Sequence, residues 1–141
     1  MNIRFTNPYA QVPTRGSEYA AGYDLYAAVA EDVTIWPHET VKVTTGLAME
    51  LPKNTFGAIF ARSGLATKQG LRPANCVGVI DEDYRGEVIV AVHNDTNDPQ
   101  TIQAGDRIAQ LVIIPYLTVD FVEAELDDTT RGSDGFGSSG R

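Results

Sequence analysis

Arg62, Ser63 and Gly64 place a guanidinium group, a hydroxyl group and an unhindered backbone amide next to one another in the chain. This combination suits phosphate oxygens, because an arginine can donate paired hydrogen bonds to them and exposed amides add further donors. The same residues could instead begin a helix, since serine is a common helix cap. The residue types alone therefore leave a phosphate site and a helix start as alternatives.

The segment around Asp81 predicts a tight turn. Asp81 follows the apolar pair Val79-Ile80 and precedes two acidic residues and Gly86, an arrangement typical of a β-hairpin. On this pattern alone Asp81 is an ordinary turn residue. Gln110 is a different case, because an amide on an otherwise apolar strand needs a hydrogen-bonding partner.

Several other motifs lack the context that their chemistry requires. Residues 135–140 fit a glycine-rich dinucleotide fingerprint, but only one residue follows them, so no helix can complete the site. Residues 81–92 begin like a calcium loop but lack its closing glutamate. His38 and His93 have no partner at metal-ligand spacing, and Ser63 is not in a nucleophile elbow.

Composition excludes several classes of protein. A chain of 141 residues is one domain in size, and its net charge of −8 argues against a nucleic-acid or membrane surface. The single Cys76 cannot form an internal disulfide, and the N-terminus lacks the features of a targeting signal. We therefore expect a reduced cytoplasmic protein with no nucleic-acid or membrane partner.

The elements that position these residues are predicted to be short strands. The pattern indicates an all-β sandwich or barrel, with one short helix at 65–69 ended by Gly70. The predicted strands are 33–36, 40–45, 55–60, 77–80, 87–92, 107–115 and 118–122.

Burial is predicted from the same patterns. Residues 40–44 alternate between polar and apolar, whereas 111–114 are apolar throughout and should be buried on both faces, by a second sheet or by a neighbouring subunit. Asp106 and Arg107 are interpreted as structural residues of a turn. The last fifteen residues, 127–141, are too polar to fold alone and are separated here from a core of residues 1–126.

Five segments taken in order, 20–28, 61–66, 78–86, 105–111 and 131–140, closely resemble the five motifs of the trimeric dUTPase family. The resemblance implies a jelly-roll-like, distorted β-barrel subunit in a homotrimer with swapped C-terminal tails. It also implies hydrolysis of dUTP to dUMP and pyrophosphate, which would limit uracil in DNA and supply dUMP for thymidylate synthesis. Mg²⁺ is expected on the substrate phosphates and water, without protein metal ligands.

The resemblance also assigns roles to residues. It implies that Asp81 is the general base that activates water, that Tyr84 packs against the deoxyribose, and that Asp24 has a supporting role. The uracil-binding residues that it implies are Asn75, Val79, Ile80 and Ile89. The phosphate-binding residues are Arg62, Ser63, Gly64 and Gln110. The tail, 127–141, would close as a lid over another subunit's substrate through Arg131, Phe136, Gly137 and Ser138.

The chain departs from the family pattern in three places, and two rival functions remain open. Ala61 replaces a usual proline, Ser139 a common threonine and Asp134 a common glycine. The carboxylate of Asp134 would repel a triphosphate, so weaker closure of the lid is expected. The rivals are an enzyme like dCTP deaminase, which shares the fold but uses a catalytic glutamate in a longer chain, and a non-catalytic regulator that binds dUTP.

Overall fold

The computed structural model describes residues 1–135, which form twelve strands and one short helix. This confirms the predicted all-β class with at most one short helix. The elements are β1 (Asn2–Phe5), β2 (Thr14–Arg15), β3 (Tyr23–Tyr26), β4 (Val33–Ile35), β5 (Thr40–Thr44), β6 (Leu47–Glu50), β7 (Thr55–Phe60), α1 (Ser63–Gln69), β8 (Leu71–Pro73), β9 (Val77–Ile80), β10 (Ile89–Asn94), β11 (Gln100–Ile102) and β12 (Arg107–Pro115).

The strands form small antiparallel sheets around one core. The largest sheet has the order β2-β3-β12-β7-β9, and the others are β5-β10-β8, β1-β6 and β11-β4. Strand β12 lies in the middle of the largest sheet, so its residues set the register of both neighbours. The core between the sheets is made of fully buried aliphatic side chains, among them Leu25, Ile35, Val43, Leu71 and Ile108.

The helix α1 is confirmed, although it begins two residues before the predicted start. Arg62 occupies the cap position with an extended backbone and makes no side-chain capping bond. Gly70 ends the helix at φ 64° and donates its N–H to the carbonyl of Leu65. Glycine adopts this left-handed conformation without a steric penalty, which is why the helix stops there.

Two predictions about strands were wrong. Residues 118–122 form no strand, because the chain from residue 117 to 129 is exposed and no strand pairs with it within residues 1–135. The predicted hairpin around Asp81 is also incorrect. Strand β9 pairs with β7, whereas β10 pairs with β5 and β8, so residues 81–88 cross between two sheets.

The apolar strand β12 is only partly covered by its own chain. Leu111 is buried, but residues 112–114 are half-buried. The expected burial on both faces is therefore not reached within one chain, which leaves apolar surface on this strand.

Within the described part of the chain, residues 1–135, no helix has the length and apolar character needed to cross a membrane.

Candidate active site

A cleft of ≈ 420 Å³ opens where β3, β12 and the end of β7 meet. The register of β12 places Gln110 opposite both Asp24 of β3 and Phe60 of β7. Arg62 is the second residue after the end of β7. The sheet therefore brings the guanidinium of Arg62, the amide of Gln110 and the carboxylate of Asp24 together. The cleft thus contains five of the predicted site residues, Asp24, Arg62, Ser63, Gly64 and Gln110.

Asp24 orients two arginine side chains in this cleft. Its Oδ1 accepts a hydrogen bond from Arg62 Nε at 2.8 Å, and its Oδ2 lies 3.3 Å from a terminal nitrogen of Arg107. Arg62 also donates to the backbone carbonyl of Arg107 at 3.3 Å. Because the Asp24 side chain is only 14% exposed, the pairs are partly shielded from water. Two guanidinium groups are thereby presented to the cleft in a defined orientation.

Arg107 is a cleft residue that the sequence interpretation missed. Residues three apart in a regular strand point to opposite faces, so Arg107 and Gln110 should not share a site. The register of β12 against β3 shifts between Arg107 and Ala109, however, which is a β-bulge. The bulge allows both side chains to line the same cleft. Nothing in the residue pattern marks this irregularity in advance.

Gln110 finds the partner that its position requires. Its Nε2 donates a hydrogen bond to the backbone carbonyl of Ala61 at 2.9 Å. Its Oε1 lies against Gly22, where an added Cβ atom would be only 2.6 Å away. The amide is therefore held between a carbonyl and a glycine, with one orientation favoured.

A separate cleft of ≈ 340 Å³ contains the other half of the predicted site. It is lined by residues from the end of β9, the loop that follows and the start of β10: Val79, Ile80, Asp81, Tyr84, Glu87 and Ile89. The loop is closed by a turn in which the Tyr84 N–H donates to the Asp81 carbonyl at 3.1 Å. Among residues 1–135 no donor contacts the Asp81 carboxylate, which is exposed and accessible to a water molecule.

A larger cleft of ≈ 640 Å³ adjoins this one and shares Val79 and Asp81 with it. Glu82 is anchored there, because its Oε2 accepts hydrogen bonds from the Asn54 backbone N–H at 2.6 Å and from the Tyr116 hydroxyl at 3.3 Å. Burial raises the pKa of Tyr116 above its ordinary value, and the nearby charge of Glu82 adds to the effect. The Tyr116 hydroxyl thus helps to hold Glu82, and with it the loop beside Asp81.

The two halves of the site lie at opposite ends of β7. Phe56 borders the cleft with Asp81, whereas Phe60 borders the cleft with Arg62. Four residue steps separate these two phenylalanines, which corresponds to about 13 Å along a strand. A single chain therefore does not place Asp81 beside Arg62.

Some predicted residues lie outside all three clefts. Asn75 is exposed in the turn before β9, where its carbonyl accepts the Val77 N–H at 2.7 Å. Arg131 is exposed and donates from Nε to the Asp134 carbonyl at 2.9 Å. Phe136, Gly137 and Ser138 lie outside the described residues, so their predicted roles are not tested here.

The fold is a β-rich subunit with an arginine-lined cleft and, on a different part of the subunit, a cleft with an exposed carboxylate, an arrangement suited to hydrolysis of a phosphate ester or anhydride. The dUTPase family model matches residues 8–140, and the chain belongs to this family. It is 52% identical to the deoxyuridine 5'-triphosphate nucleotidohydrolase of Desulfitobacterium hafniense over 92% of this chain and 87% of that protein. The corresponding protein of Solibacter usitatus is 45% identical over 100% of this chain and 96% of its own length.

Solved structures show the same fold. The dUTPase of Staphylococcus bacteriophage 80alpha in complex with dUPNHPP matches with a TM-score of 0.90 and 28% identity, over 99% of this chain and 98% of that one. A variant of the dUTPase from S. aureus phage phi11, described with a coordinated structural Mg(II) ion, matches with a TM-score of 0.82 and 25% identity over 91% of this chain and 98% of its own. The distorted β-barrel subunit predicted from the motifs is therefore confirmed.

Proposed function

We propose that this chain hydrolyses dUTP to dUMP and pyrophosphate in an active site assembled from more than one copy of the chain. The observation that carries the proposal is the separation of the Arg62 cleft from the Asp81 cleft by about 13 Å of strand. Each cleft holds only half of the chemistry. A neighbouring copy that brings its Arg62 cleft against Asp81 would complete the site.

Asp81 is the proposed general base. In the reaction, water forms a bond to the α-phosphorus, the bond from that phosphorus to the bridging oxygen breaks, and pyrophosphate leaves. Asp81 receives the proton that the water loses, and its exposed carboxylate suits this task. Arg62, Ser63 and Gly64 bind the phosphate chain, with Asp24 holding Arg62 in place.

Recognition of the nucleoside is assigned to the smaller of the two clefts that contain Asp81, the one of ≈ 340 Å³. Tyr84 is proposed to pack against the deoxyribose, and Val79, Ile80 and Ile89 to surround the uracil with apolar side chains and backbone groups. A snug apolar wall would reject the methyl group of thymine, and unmatched donors would reject cytosine. Asn75 is proposed to contribute to the uracil contact from the edge of this region.

Magnesium is proposed to bind with the substrate. Within residues 1–135 no group of three or more His, Cys, Asp or Glu side chains is arranged to hold a metal ion. The arginine-lined cleft instead suits a triphosphate, whose oxygens together with water are the ligands that Mg²⁺ prefers. When bound there, the ion would neutralise charge on the phosphates.

The assembly is proposed to be a homotrimer with exchanged tails. Apolar surface on residues 112–114 is only half-buried, and Leu117, Phe121 and Leu126 are at least 90% exposed in one chain. Exposed apolar surface of this extent is typical of an interface. We propose that residues 127–141 close over a neighbour's substrate, Phe136 stacking on uracil and Arg131, Gly137 and Ser138 binding the terminal phosphates.

Subunit complementation tests the shared site. We expect Asp81→Asn and Arg62→Ala each to be nearly inactive, and activity to return when the two variants are unfolded and refolded together. Random mixing gives about one quarter of shared sites with both residues intact, so about a quarter of the parent activity is expected. Variants refolded apart and then combined are the control. Mixed oligomers that form without recovered turnover would place the whole site in one chain.

A product assay separates the proposed reaction from its rivals. We expect pyrophosphate from dUTP and little turnover of dCTP. Ammonia from dCTP would indicate a deaminase, and tight binding of dUTP without turnover would indicate a regulator.

Light scattering at micromolar concentration should give the mass of a trimer.

A further inference from the structure

The ring of Tyr84 is held against the backbone of the residues that follow it. Its hydroxyl donates a hydrogen bond to the carbonyl of Glu87 at 3.0 Å. A Cβ atom on Gly86 would lie 2.4 Å from this hydroxyl oxygen and 2.5 Å from the adjacent ring carbon, so the ring lies directly across the glycine. The orientation of Tyr84 thus depends on where the backbone of residues 86 and 87 is placed.

The side chain of Glu87 fixes that backbone. Its Oε1 accepts a hydrogen bond from the Gly46 backbone N–H at 2.9 Å and another from the Thr44 hydroxyl. The turn that provides these donors is tightly packed, because a Cβ atom on Gly46 would meet Ala10 Cβ at 2.6 Å. Glu87 therefore joins the loop that carries Tyr84 to a rigid turn between β5 and β6.

The next residue continues the attachment. Val88 donates its N–H to Leu47 at 2.7 Å, and its carbonyl accepts the Thr45 hydroxyl at 2.6 Å. Val88 is fully buried, so the chain is well anchored just before β10. The Glu87 carbonyl belongs to the same planar peptide unit as the Val88 N–H and is held by that anchor. The Glu87 carboxylate holds the other side of this residue, where the Gly86 backbone lies against the Tyr84 ring.

We infer that Glu87 is a positioning residue that sets the selectivity of the enzyme for a 2'-deoxy sugar. It acts through Tyr84, which is proposed to pack against the sugar, by holding the backbone of residues 86 and 87 against which the Tyr84 ring lies. This inference rests on the proposed function. It extends that function to Glu87, the residue that directly follows the motif segment 78–86.

The measurement is the ratio of kcat/KM for dUTP to kcat/KM for UTP. Glu87→Ala should lower this ratio roughly two- to tenfold, the range that follows from loss of the single hydrogen bond between the Tyr84 hydroxyl and the Glu87 carbonyl. Glu87→Gln should restore most of it, because the amide oxygen can still accept the Gly46 N–H. The matched control is Glu39→Ala, since Glu39 also accepts a backbone N–H, from Trp36 at 3.0 Å, on a turn away from this cleft.

A purely structural role would reduce turnover of both nucleotides equally and leave the ratio unchanged, and that result would overturn the inference. If Glu87→Ala does not fold, Tyr84→Phe removes the same link from the other side and should lower the ratio by a similar factor; an unchanged ratio there would also refute it. Tyr84→Phe and Glu87→Ala together should lower the ratio no further than either alone.

Failure of the proposed function is recognised separately. A parent protein that does not hydrolyse dUTP contradicts the proposed function whatever Glu87 does. In that case the selectivity is measured as the ratio of the affinities for dUMP and UMP, by calorimetry. Glu87→Ala should then bring the two affinities closer together, and an unchanged ratio of the affinities would refute the role of Glu87.

Discussion

Substituting Gly22 with alanine should disturb the active site while leaving the fold intact. The new Cβ atom would lie 2.6 Å from Gln110 Oε1, closer than such atoms approach in proteins, and 3.4 Å from the Cβ and Cδ atoms of Gln110. The overlap therefore falls on the far end of a flexible side chain. We expect the amide to swing away, while the backbone of β3 and β12 stays in place.

The size of the effect follows from the bond that is lost. Turning the Gln110 amide breaks its 2.9 Å hydrogen bond to the Ala61 carbonyl, which is worth about 0.5–1.5 kcal/mol. If the oriented amide serves the transition state, kcat/KM for dUTP should fall by roughly two- to tenfold. The free energy of unfolding should change by no more than about 1 kcal/mol, because the half-buried amide can bond to water instead.

Steady-state hydrolysis of dUTP and thermal unfolding should be measured on the same preparations. Gly16→Ala is the matched control, because Gly16 lines the same cleft but has open space around an added Cβ atom. Gln110→Ala and the double variant complete a cycle, in which Gly22→Ala should cost little once Gln110 is gone. Additive losses, or full turnover by Gly22→Ala, would refute this account of Gln110.

Three further predictions concern other parts of the chain. Asp81→Asn should lose most turnover while still binding dUTP by calorimetry, because an amide cannot accept the proton of the water; near-normal turnover would remove Asp81 as the base. Deleting residues 131–141 should sharply lower turnover but preserve the trimer in light scattering, and a full-length rate would contradict the lid. The hydrogen bond from the Arg72 side chain lowers the pKa of Asp95 below its ordinary value, so Asp95→Asn should lower Tm at neutral pH. That difference should disappear as the pH falls through the lowered pKa, and a pH-independent difference would argue against it.

Long elements with a regular pattern could be predicted from the sequence. Strands β7 and β12 have the predicted bounds, and α1 ends at Gly70 as expected. Strands such as β2, with two residues, or β8, with three, are too short to show a period. The supposed hairpin at Asp81 failed for another reason. Pairing is decided by tertiary packing, and β9 finds its partner in β7.

The candidate site was predictable in its residue types but not in its arrangement. Asp24, Arg62 and Gln110 could be identified from their motifs, and the structure brings them into one cleft. Arg107 was missed because its place in that cleft depends on a bulge. The residue pattern does not show the division into separate clefts, since it depends on which end of β7 each loop reaches. Only the resemblance to a trimeric family implies an active site shared between subunits.

The charge of the Arg62 cleft supports the proposal that the site is completed from outside its own subunit. It contains two guanidinium groups, of Arg62 and Arg107, and one carboxylate, of Asp24, which leaves a single net positive charge. A triphosphate brings several negative charges into a protein whose net charge is −8. Mg²⁺ on the phosphates and Arg131 from a tail are the remaining sources of positive charge in the proposed site. In the single chain, Arg131 donates a hydrogen bond to the Asp134 carbonyl of its own tail. In the proposed closure, the guanidinium would exchange this neutral acceptor for a phosphate oxygen, and the bond would become an ion pair. The terminal phosphates would therefore favour closure, which would link the lid to the substrate.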